Sequence, residues 1–70
     1  MNRIRSKSDV ITRMRLYLAT VLYLIHEVEN SDTDPALIIS EFIKDVDRRS
    51  GLMFRVAYDV AVDLYDHIFL

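Results

Sequence analysis

The chain contains no cysteine and no tryptophan, and a single glycine and a single proline. Without cysteine, neither a disulfide framework nor a thiolate metal centre can supply the stability that a small core lacks, so stability must come from helix packing or from a second chain. One glycine excludes the glycine-rich phosphate-binding loops and the nucleophile elbow, each of which needs at least two. Scarce glycine and proline, beside an apolar fraction of 51%, also argue against disorder and against a loop-rich fold.

Long hydrophobic runs are missing too. The longest apolar stretch, residues 16–25 (LYLATVLYLI), is bracketed by Arg15 and by His26 and Glu27, and is about half the roughly 20 residues that a bilayer requires. It reads as a buried helix segment, and no membrane association is expected. The basic start followed by this stretch has the outline of a signal peptide, but no small-residue cleavage site follows it. A cytoplasmic location is therefore the expectation, compatible with the lack of cysteine.

What is present is enough for one domain, residues 1–70, near the lower size limit for independent folding. By surface scaling, a monomer of this mass exposes roughly 4,500 Å², and a compact dimer hides on the order of 1,500 Å² of the combined total, a standard-sized interface. So apolar and so short a chain is expected to self-associate, because a lone subunit would leave large greasy patches in water.

Helical periodicity organises the chain. Ser6 or Ser8 can cap a first helix that should run from about Asp9 to Glu29. Its residues Val10, Met14, Tyr17, Val21, Leu24 and Val28 are spaced 4-3-4-3-4, the rhythm of a helix-packing seam. A second row, Ile11, Leu18, Leu22 and Ile25, widens the seam beyond that of a two-stranded coiled coil, so this helix expects more than one neighbour.

Asn30 to Asp34 is a break, and Asp34-Pro35 restarts a helix over about Pro35 to Ser50: Asp caps free N–H groups, and proline has none to lose at the first position. Leu37, Ile38, Ile39, Phe42, Ile43 and Val46 form its apolar side, with Gly51 expected to end it in the left-handed conformation. A third helix should run from Gly51 or Leu52 to about Ile68, with Ser50 as a candidate cap. Arg55, Asp59, Asp63 and Asp66 form its polar stripe, a spacing that fits a helix better than any alternation of period two. The expected fold is all-α, a small bundle of three helices in which a helical hairpin folds against a long first helix, as a dimer.

Chemistry-bearing patterns are sparse, and no catalytic, cofactor-binding or metal site is expected. Asp63 and His67 are four apart, with Asp59 or Asp66 as a further oxygen donor, but an ordinary helix-surface charge pair accounts for the same spacing. The tyrosines Tyr17, Tyr23, Tyr58 and Tyr65 suit interfaces, offering a large apolar body and a hydroxyl that can stay hydrogen-bonded. The expected protein interface is Met14, Tyr17, Val21, Tyr23, Leu24 and Val28.

Charge is divided unevenly. Residues 1–15 carry Arg3, Arg5, Lys7, Arg13 and Arg15 against Asp9, whereas the remainder is net acidic. The basic group is the candidate nucleic-acid contact, since clustered cations gain affinity by releasing phosphate counterions; against it, no helix elsewhere looks like a polar recognition helix. Residues 1–8 are expected to form a basic, partly mobile arm. The function these features favour is that of a small non-enzymatic regulator or adaptor, a homodimer that binds another protein and needs no cofactor. The alternative is a dimeric nucleic-acid-binding regulator that uses its basic arm.

Overall fold

A computed structural model describes residues 6–70, which form three α-helices: α1 (Lys7–Glu29), α2 (Pro35–Asp47) and α3 (Leu52–Phe69). Among the described residues there is no strand. The all-helical, three-helix expectation is met, and the boundaries show why.

α1 begins two residues earlier than the expected Asp9, because the hydroxyl of Ser6 takes the capping role and accepts a hydrogen bond from the Asp9 N–H at 3.1 Å. At its other end, the Asn30 backbone N–H and side-chain amide both donate to the His26 carbonyl, at 3.1 and 2.8 Å. Asp34 caps α2 through Oδ1, which accepts from the Ala36 N–H at 3.0 Å, and Pro35 follows at the first helical position.

The α2–α3 connection corrects two expectations. α2 stops at Asp47, short of Ser50, where the chain tightens into a turn in which the Arg49 N–H donates to the Val46 carbonyl at 3.1 Å. Gly51 is not the helix-ending residue of α2. It stands at the cap position of α3 with φ +113° and ψ 161°, a combination essentially restricted to glycine and unlike the left-handed helical cap. Nor does Ser50 cap α3, which starts with no side-chain cap at all.

α3 is the central element, packing against both other helices, while α1 and α2 touch least. The core centres on Leu24, Ile39 and Ala61, with Phe42, Ile43, Leu64, Tyr65 and Phe69 packed around it. Ala61 is completely buried, and a methyl side chain there lets the helices approach closely. Val46, Val56, Ala57 and Val60 extend the buried zone along α2 and α3. Thr20, the one buried polar residue among those described, donates its hydroxyl to the Leu16 carbonyl at 2.9 Å and so carries no desolvation penalty into the interior.

The molecule is elongated, 44 × 23 × 20 Å, with a radius of gyration of 13.4 Å, against about 11 Å expected for a compact chain of this length. Its accessible surface of 5615 Å² likewise exceeds the roughly 4,500 Å² expected for its mass. The hairpin of α2 and α3 is too small to cover a helix as long as α1.

Candidate interaction surface

α1 carries two apolar rows, and the structure sends them in different directions. The row directed at the hairpin contains Thr20 and Leu24, both buried, with Leu16 partly covered. The other runs through Ile11, Met14, Leu18, Leu22 and Ile25 and faces water, with Met14 64%, Leu18 56% and Ile25 46% exposed. At 100° per residue its centre lies about 160° around the helix from the centre of the core-facing side, so one hairpin cannot cover both. Without Leu22 but with the partly covered Val21 and Val28, Ile11, Met14, Leu18, Val21, Ile25 and Val28 are spaced 3-4-3-4-3, a heptad seam that shares Met14, Val21 and Val28 with the 4-3-4-3-4 row.

The expected interface residues therefore separate. Leu24, at 3% exposure, belongs to the chain's own core and is not available to a partner. Tyr23 sits against the hairpin, its ring 5.5 Å from that of Phe42 of α2, while half its surface stays open. Val21 and Val28 are partly covered, Met14 belongs to the outward row, and Tyr17 is exposed beside it. Leu18, Leu22 and Ile25, read from the sequence with Ile11 only as a widening of the seam, are as accessible as Tyr17 and Tyr23 of the expected interface, while Ile11 is 37% exposed. The 3-4 rhythm alone could not rank the two rows, because both have it.

Charges along α1 run in a polarised order. Lys7, Arg13 and Arg15 lie in the first half of α1 with Asp9, whereas Glu27 and Glu29 lie in its last turn. Arg13 Nε is 3.8 Å from Asp9 Oδ2, and His26 Nδ1 is 3.5 Å from Glu27 Oε2. A helix dipole favours anions at the start and cations at the end by about 0.3–1 kcal/mol each. Lys7, Glu27 and Glu29 are at the opposite ends, so these charges are not arranged to stabilise α1 itself.

Of the candidate nucleic-acid contacts, Arg3 and Arg5 lie outside the described residues, Lys7 opens α1, and Arg15 is exposed near the outward row. Arg13 points elsewhere, bordering a cleft shared with Arg49, Arg55 and Tyr58, and with Asp47 and Asp59. Arg49 is steadied there by the Phe54 ring, 5.4 Å from its guanidinium carbon, and by Asp45 Oδ2 at 3.5 Å. This grouping of three guanidinium-bearing residues around one cleft was not legible in the sequence, since Arg49 and Arg55 are far from Arg13 along the chain.

On α3, Asp59, Asp63 and Asp66 form an exposed acidic stripe. His67 Nδ1–H donates to the Asp63 carbonyl at 2.9 Å and lies 3.4 Å from its carboxylate. The backbone hydrogen bond first, and the Asp63 charge second, hold the imidazole above its ordinary value of 6.5. Among the described residues no three His, Cys, Asp or Glu side chains converge as a metal site, and no helix is long and apolar enough to cross a membrane.

No protein-family model matches the chain, and comparison with curated proteins and with solved structures found no match.

Proposed function

We propose that this chain is a small non-enzymatic regulator or adaptor that acts as a cytoplasmic homodimer joined through α1, and that its work is to bind another protein. The single observation that carries the reading is the outward row of α1, large aliphatic side chains left in water along the full length of a helix whose other side is already packed. Once α1 is covered by a second copy, the acidic stripe of α3 is the remaining ordered surface of one character, and it suits a basic partner. Recognition without chemistry also agrees with the absence of any catalytic motif from the sequence.

The test is affinity purification of the full chain from its native cell, in parallel with a variant carrying Asp59→Asn, Asp63→Asn and Asp66→Asn. The reading expects a protein retained by the parent and lost from the variant. No retained protein, combined with a chain that sediments as a monomer at every concentration, would end it.

The cleft bordered by Arg13, Arg49 and Arg55 gives specific support to the second reading, a dimeric nucleic-acid-binding regulator. If phosphates are the target, neutralising Lys7, Arg13 or Arg15 should each lower the slope of log K against log salt by about one unit. A chain that shifts no DNA or RNA on a gel at about 50 mM salt removes this alternative.

A further inference from the structure

We infer that two copies of α1 pair antiparallel through the outward row, with Leu18 near the two-fold axis, Ile11 opposite the partner copy's Ile25 and Met14 opposite its Leu22. This inference rests on the self-association proposed above and adds the surface, the register and the direction of the pairing.

The occupant is identified by three properties of the face. First, it is a heptad seam, the pattern that another helix of the same kind fills by knobs-into-holes packing. Ile11, Leu18 and Ile25 are placed symmetrically about Leu18, so the row is complementary to itself when one copy is turned end over end. Second, the area fits. Taking roughly 200 Å² for a whole large residue, the exposed fractions amount to about 500 Å² per chain for the row and about 700 Å² with the flanking Val10 and Tyr17. A stable interface takes about 800 Å² from each partner.

Third, the charges choose the direction. On the outward side of α1, Lys7 and Arg15 lie in the first half and Glu29 in the last turn, while Arg13 and Glu27 lie on the hairpin side. A parallel pair would set cations beside cations at one end and carboxylates beside carboxylates at the other. In this register an antiparallel pair sets Lys7 against the partner copy's Glu29, and gives a use to charges that the dipole of α1 disfavours.

Because the chain has no cysteine, a single Ser8→Cys substitution gives one spin label per copy, at an exposed site away from the row. With a 1.5 Å rise per residue, the antiparallel pair places the two labels about 30 Å apart. Pulsed electron resonance on the full chain should show that separation, and Leu18→Glu should abolish it. A separation below about 20 Å means a parallel pair and overturns the direction while leaving self-association intact; no dipolar coupling from a chain that sediments as a monomer overturns both.

Charge reversal is the independent check. Lys7→Glu should weaken the dimer by about 3- to 30-fold, and adding Glu29→Lys should restore it. A parallel pair has like charges facing in all of these chains, so an unchanged dissociation constant throughout contradicts the inference. Lys7→Glu and Glu29→Lys are each favourable to the helix dipole, so a weakened and then restored dimer is not a consequence of fraying.

Discussion

Gly51 and His67 are the residues whose behaviour can be stated most sharply. Gly51 has φ +113° and ψ 161°, yet a Cβ built on it would meet nothing within 4 Å. The cost of Gly51→Ala is thus backbone strain alone, about 1–3 kcal/mol. Chemical denaturation should find a loss of that size, and an alanine variant as stable as the parent would contradict the conformation. His67 is fully exposed, and the carbonyl and carboxylate of Asp63 raise its value above 6.5. A group raised in the folded state adds stability that is complete below its unfolded value and is lost as pH climbs through the folded one. An NMR titration of its ring should therefore have a midpoint above 6.5, and Asp63→Asn should lower that midpoint only partly, because the backbone hydrogen bond remains. A midpoint insensitive to Asp63→Asn would remove the carboxylate from the explanation.

At the scale of the elements, Leu24 and Leu18 make a matched pair on one helix, one facing inward and one outward. Leu24→Ala should cost about 2–5 kcal/mol by opening a cavity beside Ile39 and Ala61, most of what a domain this small possesses. Leu18→Ala should change the stability of the isolated subunit by within about 0.5 kcal/mol while weakening self-association; equal losses at the two sites, measured by denaturation at a concentration where the chain is monomeric, would refute the division of faces. Much of this was readable from the sequence. Ser6, and Asp34 followed by Pro35, act locally, so they marked the starts of α1 and α2 without knowledge of anything distant. The direction of each face of α1 was not readable, because that depends on where the hairpin lands, and the Leu24 row and the Leu18 row have the same period. Gly51 misled for a related reason: one glycine can end a helix or precede the next, and the Arg49 turn onto Val46 decides which.

For the whole molecule, shape and charge tell the same story. α1 outruns the hairpin that covers it, leaving a surface larger than its mass requires and an apolar row with the charge order of a self-complementary helix. Folding and association should then be linked, since a second copy that binds only the folded form raises its stability by mass action, and the unfolding midpoint should climb with protein concentration. Sedimentation equilibrium of the intact chain and of Leu18→Glu across micromolar concentrations addresses the central claim most directly. The account predicts that the parent chain moves from its monomer mass of 8.2 kDa to twice that value, while Leu18→Glu stays monomeric and helical. A parent chain that remains at the monomer mass over the whole range would contradict it.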